Sequence, residues 1–324
     1  TGMVNNHYLA FSGGTPQSNY RASFGVMDHN TIIKKMDYNV FVAKVDVTQK
    51  AFNDRLTGEF GVFGSSFKNH DIFDTQMLFY SAACQNPTFP AGTDEHGNWL
   101  KNESATHINP PGILLEEKND SKDLNFDAHI KLSYDFNKNW HVSTFGSYLY
   151  GSTENGQFCP TWVWAQGNVY RGEFKKEEWL GNVSLDFNKE FGIHKVSAGV
   201  SSEYRKLRKT AFWVYAKGIP TNDFHYDNLG ATAARPYGGT ESTYEDQSLA
   251  SVMGSITYNL LDRYTLAVNA RGDGSSMVGD NNTWGFFPSV SFTWDMKKES
   301  FLANIKPLSM LKLRTGLGQA GNLG

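Results

Sequence analysis

The stretch Arg263–Ser276, RYTLAVNARGDGSS, alternates along its length. Tyr264, Leu266, Val268 and Ala270 fall on one face. Arg263, Thr265, Asn269 and Arg271 fall on the other, with small Ala267 between them. A period of two is the signature of a strand with unlike faces. In a sandwich the apolar face meets a core and the polar face meets water. In a membrane barrel the apolar face meets lipid and the polar face lines a wet lumen. The choice between them rests on the rest of the chain.

Period-two runs recur throughout. The clearest is LNFDAHIKLSYDF, Leu124–Phe136, in which Leu, Phe, Ala, Ile, Leu, Tyr and Phe alternate with polar residues. Comparable runs lie at His7–Gly13, Ser18–Asp28, Tyr38–Thr48, Asp54–Ser66, Trp140–Tyr150 and Glu178–Asn188. Others lie at Lys195–Arg208, Ser248–Leu260, Arg263–Asp273, Trp284–Met296 and Met310–Gly318. They predict about twelve strands of roughly 7–14 residues, most reaching the ~9–11 that a tilted transmembrane strand needs. No segment carries a sustained helical period. KKESFLANIKPLSM, Lys297–Met310, is the one place where a short helical turn is expected to interrupt the strands.

The connections favour the membrane. Gly13–Ser18, Gln49–Asn53, Asn137–Asn139, Lys189–His194 and Leu261–Asp262 are short. They alternate without exception with His29–Asp37, Phe67–Asp123, Gly151–Lys176, Lys209–Gln247 and Gly274–Thr283. Several structureless loops above about 15 residues do not suit a compact soluble domain. Short turns on one rim and long loops on the other are the rule for an outer-membrane barrel. Aromatic residues also gather beside the short turns: Tyr134, Phe136, Trp140, Phe187, Phe191, Tyr258, Tyr264 and Trp294. These suit an interfacial girdle, although aromatics also favour strand ends in any β protein.

Bulk composition sets limits. The 324 residues carry a net charge of −3, with 14% aromatics, 31 glycines and 19% charged residues. No basic footprint points to nucleic acid. No apolar run approaches the roughly 18 residues of a membrane helix, and the mean hydropathy of −0.46 is no guide to a barrel, whose alternation averages out. The opening TGMVNNHYLAFSGG lacks the form of a signal peptide, and GQAGNLG at the other end looks cut, so a piece of a longer protein is expected. Cys84 and Cys159 are placed in loops; a disulfide and two separate thiols are both open.

Motifs for chemistry are sparse. Arg271-Gly272-Asp273 spells an adhesion tripeptide, but a strand end and turn explain it better. The nine histidines show no metal-ligand spacing, and His129 and His141 are expected among polar strand residues. Asp273 and Asp280 sketch a calcium loop whose spacing fits no EF-hand, and a solvated loop is the simpler account. Asn102-Glu103-Ser104 is a glycosylation acceptor only in a eukaryotic secretory setting. Pro288 donates no ladder hydrogen bond, so a bulge is expected there. Neither a catalytic constellation nor a phosphate loop is present, and no enzyme activity or cofactor is expected.

YNLLDRYTLAVNARGDGSSMVGDNNTWGFFPSVSFTWDM, Tyr258–Met296, resembles the SusC/RagA family of TonB-dependent outer-membrane transporters. The likeness lies in an RY strand start, an R-x-D-G-S-S strand end and a W-G-x-F-P-S-x-S return. Phe11–Lys34 resembles an early barrel hairpin of that family, and Leu311–Asn322, LKLRTGLGQAGN, its K-L-R-x-x-x-G-x-x-G-N strand and loop. His29-Asn30-Thr31 departs from the loop usual after the second strand. The resemblance implies an all-β, antiparallel up-and-down barrel section, residues 1–324, with the plug domain, the TonB box and the last strands absent. About twelve strands would be just over half of the roughly 22 in a plugged barrel.

It further implies a bacterial outer-membrane importer of an oligosaccharide or peptide. The implied partners are a SusD-like surface lipoprotein and the TonB–ExbB–ExbD complex, the latter reached through the plug. Asp127, Lys131, Asn269, Arg271 and Ser291 are then expected to face the lumen, and Phe126, Ile130, Leu132, Leu266, Val268, Val290 and Phe292 the lipid bilayer. The long loops carry Trp99, Trp162, Trp164, Trp213, Tyr215 and Tyr237 as candidate substrate-binding residues, since aromatic rings stack on sugar faces and peptide side chains. The competing account is that these rings pack loop against loop. A passive porin and a soluble glycan-binding β-module are the rival functions.

Overall fold

In the computed structural model, residues 2–101, 108–279 and 283–321 are described. They form one twelve-stranded antiparallel sheet in which each strand pairs with its neighbours in sequence. The strands are β1 (Met3–Gly14), β2 (Ser18–Asn30), β3 (Asp37–Ala51), β4 (Leu56–Asp71), β5 (Lys118–Asp135) and β6 (Trp140–Cys159). They continue with β7 (Asn168–Phe191), β8 (His194–Lys217), β9 (Thr240–Leu260), β10 (Tyr264–Ser275), β11 (Trp284–Asp295) and β12 (Lys312–Gly318).

Every ladder keeps one register from end to end; β7 and β8 run from Asn168 opposite Lys217 to Phe191 opposite His194 without a break. Parity therefore survives across the sheet. Leu266 lies opposite Phe292 and Tyr258, and Val268 opposite Val290 and Ile256. Phe126, Ile130 and Leu132 lie on the same apolar face through their pairing with Gly64, Phe60 and Gly58. Most of these large side chains are exposed within the chain itself, so the sheet has no apolar core beneath them. An apolar face with nothing protein-made upon it requires an apolar surround.

The order of strands puts the connections after β2, β4, β6, β8 and β10 on one rim, as the alternation of loop lengths implies. Their extents differ from the sequence-based expectation. Gly151–Lys176 is almost entirely strand, leaving only 160–167 as loop, and the other long connections shrink to 31–36, 72–117, 218–239 and 276–283. Strands accordingly run from 7 residues in β12 to 24 in β7 and β8. The alternation of loop lengths also has an exception. The link from β11 to β12, residues 296–311, lies on the short-turn rim and holds a 3-10 turn, Met296–Lys298, and a helix, Ser300–Ala303.

Pro288 makes no bulge. It pairs with Ala270 in unbroken register. Its carbonyl accepts the N–H of Gln319 at 3.0 Å on the β12 side, just beyond the last paired residues, Ser289 and Gly318. The ring nitrogen faces that same side, at the very end of the ladder, so the missing N–H costs at most one terminal bond.

The 72–117 connection contains α1 (Thr75–Cys84) and α2 (Pro110–Glu116). Asp74 caps α1 by accepting from the Met77 N–H at 2.8 Å, and Asn109 caps α2 by accepting from Gly112, with Pro110 at its first position. Cys84 is therefore helical and Cys159 ends a strand; both are free thiols. Asn102, Glu103, Ser104 and Asp280 lie outside the described residues.

Candidate functional site

The polar face of the sheet carries ion pairs strung between neighbouring strands. Lys131 reaches Glu59 at 3.6 Å, and Arg205 reaches Glu178 at 2.7 Å. Arg271 Nε lies 2.7 Å from both carboxylate oxygens of Asp273, which also accepts from Ser251 Oγ at 2.5 Å. Arg271-Gly272-Asp273 is thus mid-ladder, with its charges turned on each other, and does not present an adhesion turn. Asn269 donates to Ser289 at 3.3 Å, Asp127 lies 3.4 Å from His129, and Ser291 sits opposite Ala267. All five residues expected on the lumen share this face by register. Ser184, Asp186, Asn269, Arg271 and Ser289 line a trough of about 870 Å³ on it.

Above the ring pair Tyr148–Trp179, toward the long-loop rim, the two faces acquire different cover. On one side, the 72–117 segment builds a small core of Ile72, Leu78 and Ile113, against which Trp162 packs. Glu116 at the end of α2 accepts two indole N–H groups, from Trp99 at 2.5 Å and Trp162 at 2.6 Å, and the two indoles lie 6.2 Å apart. Next to it, Glu117 is 4% exposed. It accepts from the backbone N–H of Asp74 at 3.0 Å and touches Cys159 Sγ at 3.5 Å. Burial pushes its carboxyl up to about 7, and burial also pushes the Cys159 thiol up.

On the other side, the 218–239 connection folds back over Phe158, Val169 and Ala216, all on the parity that carries lipid-type side chains lower down. Tyr226 donates to Asp120 at 2.6 Å, and its ring lies against Gly156, where a Cβ would sit 2.6 Å from it. Only glycine lets that ring approach the strand. Asp227 pairs with Arg171 at 3.1 Å.

The six candidate aromatics do not form one constellation. Trp99 and Trp162 are joined through Glu116 and serve as loop packing. Trp164 and Tyr237 are exposed loop residues. Trp213 and Tyr215 stand on β8, not in a loop, because that strand continues to Lys217. Tyr215 donates to Asn168 at 2.9 Å. Trp213 is nearly parallel to Phe174 of β7, at 16° and 6.2 Å between centroids. Phe174 was not expected from the sequence. The two rings border a hollow of about 740 Å³ with Leu149, Thr153, Lys176 and Lys209. Among the described residues no cluster of His, Cys, Asp and Glu could hold a metal ion.

One antiparallel meander with an uncovered apolar face, a polar face and long loops on one rim defines a transmembrane β-barrel section of the outer-membrane type. Residues 60–322 match the family model "TonB dependent receptor-like, beta-barrel", and the chain belongs to that family as an outer-membrane protein. Within it the likeness is to the SusC and RagA branch. The chain is 28% identical to the TonB-dependent receptor SusC of Bacteroides thetaiotaomicron, over 100% of its own length and 34% of that protein's. It is also 28% identical to TonB-dependent receptor P3 of Formosa agariphila, over 99% of its length and 33% of the relative. The chain thus spans about a third of these relatives. The RagAB peptide importer in its open-open state shares the fold, with a TM-score of 0.76, 16% identity, and coverage of 97% of this chain and 36% of that one. The family is one of transporters and receptors.

Proposed function

We propose that this chain is the barrel section of a longer transporter that imports an oligosaccharide or peptide across the outer membrane. In that protein a plug domain and further strands complete the barrel. A SusD-like surface lipoprotein delivers the substrate, and the TonB–ExbB–ExbD complex supplies energy through the plug. Asp127, Lys131, Asn269, Arg271 and Ser291 then line the lumen around plug and substrate path. Trp164, Trp213, Tyr215 and Tyr237 stand nearest the incoming substrate, with Trp99 and Trp162 bracing the loops beside them.

The observation that carries this reading is the asymmetry of the two rims. The long connections that carry Trp99, Trp162, Trp164 and Tyr237 all stand on one rim, where an importer meets its substrate, whereas the opposite rim has tight turns and the single 296–311 link. A passive porin shares strands and loop parity but requires no energy. The test is uptake of labelled oligosaccharides and peptides by cells with and without the gene, and with TonB disabled. Gene-dependent uptake that stops without TonB is expected. Gene-dependent uptake that persists without TonB would overturn the reading in favour of a porin.

A further inference from the structure

We infer that the hollow bordered by Phe174 and Trp213 is a binding site for an uncharged oligosaccharide; this rests on the importer reading and names its substrate class. Three observations lead there. The first is place. Phe174 lies five residues beyond Trp179 on β7, where Trp179 packs against Tyr148, tilted at 43°, in the aromatic girdle. At about 3.3 Å per residue, the hollow stands some 16 Å along the strand above the girdle, on the polar face. Its volume of about 740 Å³ is within the ~300–1,000 Å³ range of small-molecule sites.

The second is shape. Trp213 and Phe174 lie within 16° of parallel, with Leu149 and Ala211 completing an apolar border. Flat, near-parallel rings suit the C–H face of a pyranose, which is apolar across the ring and hydroxylated at its edge. Asn125, Thr153 and Thr243 supply neutral polar groups at the same border.

The third is charge. Each ionic group bordering the hollow already has its opposite. Lys209 is 3.2 Å from Glu245, Lys176 is 3.1 Å from Glu178, and Lys175 is 2.7 Å from Glu173. Glu178 is held in addition by Arg205. A ligand bearing carboxylates or an ammonium terminus would have to break these pairs to be met by a charge. A neutral, hydroxyl-rich ligand leaves them intact. The arrangement therefore favours a neutral glycan over both an acidic glycan and a short peptide with charged ends.

The experiment uses the complete transporter purified in detergent, with tryptophan fluorescence and calorimetry as readouts. The probes are neutral malto-, xylo-, manno- and β-gluco-oligosaccharides, oligogalacturonate as the acidic glycan, and a tryptic casein digest as the peptide source. Binding of a neutral oligosaccharide is expected. Trp213→Ala should weaken it about tenfold or more, and Trp213→Phe should restore most of it. Circular dichroism and heat-modifiable migration establish that each variant is folded. Failure of every neutral oligosaccharide to bind overturns the inference, as does binding that ignores Trp213→Ala. A peptide or oligogalacturonate that binds through Trp213 overturns it too. The importer reading is decided separately, by the TonB dependence of uptake in cells.

Discussion

The apolar face can be tested by depth. The ring pair at the short-turn rim is Tyr264–Trp294, and the second tryptophan of β11, Trp284, stands on the same parity at the far end of the strand. Ten residues separate the two tryptophans, so the span is roughly 33 Å along the strand, or about 25 Å of height at a ~40° tilt. That matches the thickness of an outer-membrane apolar band. The midpoint is Ser289, flanked by Pro288 and Val290, whose partners are Ala270 and Val268. The midplane therefore crosses β10 at Asn269, with Val268 and Ala270 the adjacent residues on the apolar face. Leu266 is displaced from it by about 7–8 Å of height toward the short-turn rim.

An arginine at Val268, 47% exposed with only lipid to meet it, should cost about 2–4 kcal/mol. At Leu266 the cost should fall to roughly half that, because the side chain can reach the headgroup layer. At Asn269, one residue along and on the other face, it should stay below about 1 kcal/mol. Urea unfolding of the complete barrel in lipid vesicles, followed by tryptophan fluorescence, measures all three. Equal costs at Val268 and Asn269 would refute the facing. A larger cost at Leu266 than at Val268 would refute the depth.

Glu117 gives the loops a pH dependence. Its carboxyl rises from the ordinary 4.5 to about 7, so the folded loop favours the protonated form, and loop stability should fall as pH climbs from about 4.5 to 7 and level off above. The full effect is up to about 3 kcal/mol, visible as faster pH-corrected hydrogen exchange around Asp74, and Glu117→Gln should abolish the slope. Trp162→Ala should loosen the 72–117 segment by about 1–3 kcal/mol through the unpaired Glu116 oxygen and lost packing, whereas Trp164→Ala should leave its exchange unchanged. If the double replacement loosens the loops but leaves substrate affinity alone, both rings are packing. Cys84 is exposed and should react with maleimide in the native barrel, while fully buried Cys159 should react only after unfolding; a disulfide would leave both silent.

What was legible in the chain follows from where its two faces meet different solvents. In β10 and β5 one face is apolar and the other polar, so Leu266 against Asn269, or Ile130 against Lys131, declares the strand and separates its two faces. The upper halves of β6 to β9 lose that contrast, although their backbone pairing continues. On one parity, Trp179 gives way to Glu177, Tyr204 to Lys206, and Tyr150 to Ser152 and Glu154. These side chains pair across the strands instead: Arg208 and Lys206 both reach Asp246. Higher still the same parity turns apolar again at Phe158 and Val169, beneath the returned 218–239 connection. A strand whose outer face passes from lipid to ions to a protein cover has no single period-two pattern. Gly151–Lys176 therefore reads as loop in sequence, Trp213 and Tyr215 read as loop aromatics, and Phe174 hides inside the charge run EFKKEE. The point where the contrast fails is itself informative. The line through Tyr148, Trp179 and Tyr204, with ion pairs immediately above, marks the outer limit of the apolar band. Trp213, Phe174 and the loop aromatics Trp164 and Tyr237 all lie beyond that line.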